Sequence, residues 1–252
     1  MSWLARLEVD AQTIYSERIS ADIYTWHKML WQCYPNAPTK TRVDIGFLTR
    51  IDQLEGAYRF WIVAKQKPMR PQWCPPEGFA VKEISPSFLS NRYYAFDLRA
   101  NPVKTVVKRG TNGETLYQRD ANGEILLRSD GKAKRKHGKR VPMVKPEELR
   151  AWLDRKGKVR CLDKDTGQDI PGGFRIIETK ESPLEIRPMV ESHFRKKDKK
   201  NNKEYAAYHG GVQFRGILEV TDQESFLETY HEGVGSAKSF GFGLLLLAPV
   251  KL

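Results

Sequence analysis

Apolar and polar residues alternate over residues 3–9, and a period of two is the mark of a half-buried strand. The period then changes. Trp26, Met29, Leu30 and Cys33 recur at helical spacing within a helix expected from Ala21 to about Cys33, with Ser20 as its cap and Pro35 forbidding its continuation. Residues 43–50 and 58–64 read as two strands around a turn near Glu55-Gly56, and residues 79–84 as a closing strand. Between them Pro68, Pro71, Pro75 and Pro76 leave room for a short or degenerate helix at most. The first part therefore reads β-α-β-β-(α)-β.

The second part repeats that order more clearly. Tyr94, Phe96 and Leu98 line one face of a strand. Pro146 at a first helical position, followed by Glu147 and Glu148, opens a helix that Gly157 ends. Residues 174–179 and 212–220 read as strands, Thr221-Asp-Gln-Glu224 as a capping box for a helix through about His231, and residues 242–249 as the last strand. The expected fold class is α+β, with two tandem ferredoxin-like modules over residues 1–88 and 89–252. The second module carries an insertion. Its residues 116–119 and 125–128 flank Asn122-Gly123, a hairpin signal, and its tail, residues 132–140, reads as a mobile basic run.

Charge sharpens this picture. The 252 residues hold 43 Lys and Arg against 31 Asp and Glu, a net charge of +12 that suits a polyanionic partner. Residues 104–145 contain twelve Lys or Arg against Glu114, Asp120, Glu124 and Asp130, and residues 195–203 contain six against Asp198. The excess is thus concentrated in the insertion and in an expected loop before the 212–220 strand. Cys33, Cys74 and Cys161 are few, odd in number and without a CxxC pair, which argues against a disulfide framework or a zinc site and for a reducing compartment. Charges come too early for a signal peptide and no apolar run approaches a membrane span, so a soluble cytoplasmic protein without metal or cofactor is expected.

Two stretches carry candidate chemistry. Gly233-Val-Gly-Ser-Ala-Lys-Ser-Phe-Gly-Phe-Gly243 lies after a helix and before a strand, the reverse of a dinucleotide-binding or Walker loop. Gly233, Gly235, Gly241 and Gly243 permit close backbone approach and Lys238 adds positive charge, a combination that suits a nucleic-acid backbone. On the 21–33 helix, Tyr24, His27, Lys28 and Trp31 form a second stripe beside the apolar one. A phenol, an imidazole and an ammonium on one helix face are a workable set for metal-free RNA cleavage, in which a 2′-hydroxyl attacks its own phosphate. The same stripe is also what an ordinary half-exposed helix with a structural histidine would display. His137, His193, His209 and His231 sit in basic runs or at a helix end and are weaker candidates.

Four passages resemble the CRISPR-associated repeat-processing endoribonucleases of type I-E, the CasE family. Residues 233–249 look like its glycine-rich loop and final strand, and Asp22-Ile-Tyr-Thr-Trp-His-Lys-Met-Leu-Trp31 looks like its catalytic helix. Leu98-Arg-Ala-Asn-Pro-Val-Lys-Thr105 and Arg140-Val-Pro-Met-Val-Lys145 look like the borders of its basic hairpin insertion. The resemblance implies two ferredoxin-like (RRM-like) modules and metal-independent cutting of CRISPR precursor RNA at the base of the repeat hairpin. It further implies that the enzyme stays on the mature guide RNA beside the other Cascade subunits. It transfers the catalytic histidine to His27 and the accompanying tyrosine to Tyr24, while Lys28 enters by spacing alone. Lys104, Arg109, Arg119, Arg128, Lys134, Arg135, Lys139 and Arg140 would meet the RNA, because an RNA stem offers phosphates and shape more readily than base edges. The alternative is a module that holds a structured guide RNA without cutting it. A ribosome-associated or other structural RNA-binding protein is a third reading, and it leaves the helix and glycine-loop signatures unexplained.

Overall fold

In the computed structural model of the chain, residues 2–16, 22–35, 46–127, 131–158, 172–189, 192–197, 204–209 and 211–251 are described. Alternation along strand β1 (Ser2–Asp10) turns Ala5, Leu7 and Val9 to one face, where they are buried. β1 pairs antiparallel with β3 (Ala57–Ala64) and β4 (Phe79–Ile84), and β2 (Leu48–Leu54) completes the order β2-β3-β1-β4. The β2–β3 turn falls at Glu55-Gly56, where Gly56 takes a φ of +69°. β2 starts later than the expected 43–50 strand: Gly46 has a left-handed φ of +59° that interrupts extended backbone, and residues 43–45 lie outside the described residues. No α-helix forms over 66–76 and the proline-rich stretch ends in a 3-10 turn, Pro76–Gly78.

Helix α1 (Ala11–Ser16) follows β1 directly, and α2 (Ile23–Leu30) covers the apolar face of the sheet. Ser20 and Ala21 lie outside the described residues. The capping contact seen is from Asp22, whose carboxylate accepts from the Thr25 amide at 3.0 Å and the Thr25 hydroxyl at 2.7 Å. Beyond Leu30 the chain tightens into a 3-10 turn, Trp31–Cys33, so the apolar stripe still reaches Cys33.

The second sheet is centred on β5 (Tyr93–Ala100), to which α3 (Pro86–Leu89) leads. β5 pairs antiparallel with β12 (Val212–Val220) and β13 (Leu245–Pro249), and β8 (Phe174–Ile177) and β9 (Glu185–Pro188) share the far edge of β12. The expected 174–179 strand ends at Ile177, and β9 is a further short strand on the same edge that the sequence did not indicate. Helices α4 (Pro146–Gly157) and α5 (Gln223–Glu232) pack on one face, with Tyr94 on Phe226 and Trp152 on Phe214, each pair 5.8 Å between ring centroids. The cap of α5 is Asp222, which accepts from Ser225 N–H, and not Thr221. The basic run from Arg195 enters a strand rather than a loop: β10 (Ser192–Lys197) pairs with β11 (Glu204–His209) as a separate ribbon. A two-stranded ribbon has no need of the apolar alternation by which strands are recognised.

The insertion is more elaborate than one hairpin. β6 (Val103–Val107) pairs with β7 (His137–Pro142) at its base. Beyond them, tight turns at 110–113 and 120–123 bring three chain segments around a common axis. Lys108 N–H donates to Lys136 O, Lys136 N–H to Leu116 O and Leu116 N–H to Lys108 O, closing a ring. A second ring joins Gln118, Lys134 and Leu126 in the same way. Residues 132–140 are thus backbone-paired along their length, closing these rings and forming β7, while most of the described lysines and arginines stay exposed.

The faces of the two sheets that carry no helices meet each other. Leu48 and Val63 of the first sheet join the core of the second, and beside them lies a seam of charge. Arg50, whose side chain is only 4% exposed, donates to Asp52 at 2.8 Å and grips Asp97 with two nitrogens, at 2.7 and 3.2 Å. Arg215 and Gln213 of β12 also donate to Asp97, and Arg99 pairs with Asp52 at 2.7 Å. Burial alone would raise the Asp97 carboxyl, but the hydrogen bonds from Arg50, Gln213 and Arg215 outweigh it and hold the group below the usual carboxylate range.

Asp97→Ala should cost about 1–3 kcal/mol at neutral pH, because it takes a carboxylate acceptor from a buried guanidinium that keeps Asp52 as its ion-pair partner. Folded Asp97 is more acidic than unfolded Asp97, so its contribution is complete above the ordinary carboxylate value and fades as pH falls through the depressed one. Urea denaturation of both proteins from pH 7 downward should show the gap closing in acid. A gap of constant size would deny the ionised carboxylate its role.

Candidate active site

The orientation of α2 is set by its buried side. Trp26 is wedged among Phe60, Tyr58 and Trp73, with ring centroids 4.8, 5.2 and 6.4 Å away. That packing sets the rotation of the helix and turns the next residues outward: His27 is half-buried and Lys28 exposed. The Tyr24 side chain lies outside what is described, although its backbone is helical.

His27 is held by aromatic neighbours. Trp31, one helical turn on, donates its indole N–H to His27 Nε2 at 3.3 Å. Phe47, just before β2, stacks beside the imidazole at 6.4 Å and 25°, receives Trp31 edge-on at 4.8 Å, and is itself stacked on Tyr34 at 5.3 Å. Sequence reasoning placed Trp31 on this stripe without assigning it a role and missed Phe47, which is far away in the chain. Spacing from His27 was the one signal available for Trp31.

The glycine-rich segment reaches the same place from the second sheet. Gly233 ends α5, donating to Thr229 O at 2.8 Å, and Val234 N–H donates to Gly243 O at 2.8 Å, so the segment closes on itself. Gly243 N–H bonds Arg99 O at 2.7 Å, which fastens the closed loop to β5. A Cβ at Gly243 would stand 2.8 Å from Val234 O on a backbone with φ +91°, so only glycine fits there. At its tip Ala237 takes a left-handed φ of +61° and starts a 3-10 turn, Lys238–Phe240, that packs against both β2 and α2. The turn that carries Lys238 therefore lies beside α2, while Lys238 itself lines a small cavity with Lys156, Thr229, Glu232, Gly233, Val234 and Gly235. Strand β10 also packs against α2, bringing the second basic segment to the same helix.

The insertion residues are placed differently. Lys104 is engaged by Glu148 of α4 at 2.6 and 2.9 Å. Arg109 and Arg119 occupy equivalent places in successive turns, each donating one Nη1 bond to the carbonyl of its own turn glycine, Gly113 or Gly123. Lys134, Arg135, Lys139 and Arg140 are exposed, and Arg128 lies outside the described residues. Burial, with Lys65 adding to it, pushes the His231 imidazole below its ordinary value, so that histidine favours the neutral form. Burial also raises the Cys33 thiol to about 12, which leaves it inert at the end of the α2 stripe. Among the described residues, no group of three His, Cys, Asp or Glu could hold a metal ion, and no helix is long and apolar enough to cross a membrane.

Comparison with known proteins places this geometry. The chain is 26% identical over 240 residues to the CRISPR system Cascade subunit CasE of Escherichia coli K12, covering 95% of this chain and 98% of that one. It is 27% identical over 254 residues to the CRISPR-associated endoribonuclease Cse3 of Thermus thermophilus, covering 98% and 100%. Its fold is similar to the crystal structure of Cas6e from E. coli K-12, with a TM-score of 0.62 at 24% identity over 99% of this chain and 100% of that one. The Thermus thermophilus Cse3 bound to an RNA representing a pre-cleavage complex matches with a TM-score of 0.60 at 25% identity over 98% and 99%. A family model described as CRISPR associated protein matches residues 2–249. With the match running through both sheets, α2 and the glycine loop, the chain belongs to the CRISPR associated protein family.

Proposed function

We propose that this chain is a metal-independent endoribonuclease that cleaves CRISPR precursor RNA at the base of the repeat hairpin. It then stays on the mature guide RNA as a subunit of Cascade in the cytoplasm. The observation that carries the reading is the convergence on α2: a half-buried imidazole held by aromatic neighbours, with Lys28 on the same helix and the Lys238–Phe240 turn of the glycine loop packed against it. Relatives named as a Cascade subunit and as an endoribonuclease, over nearly the whole length of both chains, support it. The two sheets, each with its first strand between its third and fourth when β8 and β9, which share one edge, are counted together, support a division into ferredoxin-like modules over 1–88 and 89–252.

In the proposed reaction the 2′-oxygen attacks the adjacent phosphorus, forming the O2′–P bond as the P–O5′ bond breaks. The 2′-hydroxyl gives its proton to a base, and the departing 5′-oxygen takes one from an acid. The products are a 2′,3′-cyclic phosphate, which water can open to a 3′-phosphate, and a 5′-hydroxyl. His27 supplies one of the two proton transfers, with Tyr24 orienting the nucleophile. Lys28 and Lys238 offset the charge that builds on the phosphorane. Gly233, Gly235, Gly241 and Gly243 let the RNA backbone approach, and the insertion grips the stem.

A labelled repeat-hairpin RNA incubated in EDTA under single-turnover conditions should be cut by the wild type. His27→Ala should bind it equally and cut about 10²–10⁴-fold more slowly. Binding without cutting by either protein would leave the guide-holding alternative, and undiminished cutting by the variant would move the site elsewhere. Separately, replacing Arg109, Arg119 and Arg128 by Gln should lower the slope of log affinity against log salt by about 0.7–0.9 for each phosphate left without its arginine. The rate of cleavage of saturated RNA should be nearly unchanged. An unaltered slope would remove those three from the interface.

A further inference from the structure

The bond between Trp31 and His27 joins a group that can only donate to a group that can do either. An indole N–H has no lone pair to offer, so the nitrogen it points at must carry one. Trp31 Nε1 donates to His27 Nε2. In the neutral ring this places the proton on Nδ1 and leaves Nε2 as the acceptor. Protonation at Nε2 would break the bond, so the contact favours neutral imidazole in one of its two tautomers.

The surroundings hold this pair in register. α2 gives way to a 3-10 turn at Trp31, directly after the helix that carries His27. Phe47, 2% exposed, braces both rings at once: the imidazole lies nearly parallel to it and the indole meets it edge-on. Because Phe47 is in turn stacked on Tyr34, neither ring can swing without disturbing a buried phenyl group. His27 and Trp31 are both only half-buried, so the bonded edge is near the surface that a substrate would approach.

We propose that Trp31 is a positioning residue for His27, presenting Nε2 as a ready acceptor until a hydroxyl of the RNA replaces the indole N–H there. A ribose 2′-hydroxyl is a donor of the right kind, so the same nitrogen that accepts from Trp31 in the free protein accepts from the nucleophile in the complex. This assigns His27 to the base side of the reaction. The inference rests on the nuclease reading for its purpose, but the tautomer it requires is a property of the free protein.

The test is nitrogen NMR of protein labelled with ¹⁵N-histidine, near pH 8, above the ordinary histidine value of about 6.5. Wild-type His27 should give the signature of a proton on Nδ1 and a lone pair on Nε2. His27→Gln assigns the resonance. Trp31→Phe keeps an aromatic ring near Phe47 and removes the donor. The variant should lose the fixed tautomer and slow single-turnover cleavage about tenfold at saturating RNA, with binding unchanged. A wild-type ring protonated on Nε2 overturns the proposal, and so does a variant whose His27 signals match the wild type. The wild-type spectrum decides the matter even if Trp31→Phe does not fold. If the fixed tautomer is present and the protein never cuts RNA, the nuclease reading falls while the Trp31 contact stands.

Discussion

One guanidinium holds the two halves of this molecule in register. Arg50 projects from the first sheet into the face of the second and is surrounded by Asp52 of its own strand and Asp97 of β5. An ion pair taken out of water is a poor source of net stability but a strong source of specificity, since few arrangements satisfy its donors. With Arg50 in place, β2 lies against β5, and the glycine loop, bonded to β5 through Arg99 O, reaches α2 across β2. The proposed site is assembled from both halves, so it inherits its geometry from that seam. The same seam covers part of the helix-free face of each sheet, so in the proposed reading the RNA contacts fall to the loops and the insertion.

Much of this fold was legible because local rules and burial agreed. Tyr94, Phe96 and Leu98 share a buried face as their alternation indicates, Pro146 opens α4, and the turn at Glu55-Gly56 is in its expected place. The misses have physical causes. Gly46 delays β2 through its own backbone conformation. β10 and β11 form a ribbon whose stability owes little to apolar alternation, so a run of lysines concealed a strand. In the insertion the backbone bonds run around a ring of three segments, a pattern that a search for paired strands does not contain.

The site divides in the same way. His27 was found by residue type and helical spacing, and its burial and orientation follow from the stripe beginning at Trp26. What spacing could not supply was Phe47, brought in by the path of the chain into β2, or the meeting of the Lys238–Phe240 turn with α2, which requires the second sheet to dock on the first. Residues next to each other on one helix are visible in a sequence. Residues joined by a domain contact are not, unless a known family supplies the pairing.

The closed rings of the insertion have a consequence of their own. Ile125, Leu126 and Leu127 stand out from it at 39%, 39% and 65% exposure, an apolar step on a strand-like segment that in an open sheet would invite a second chain to pair. Around the ring of Gln118, Lys134 and Leu126, each of these backbone N–H groups already has its acceptor within the three segments. Leu126 therefore cannot lend its amide to a foreign strand without first leaving its own ring. A protein can in this way display apolar side chains on a long basic arm and still resist edge-to-edge aggregation.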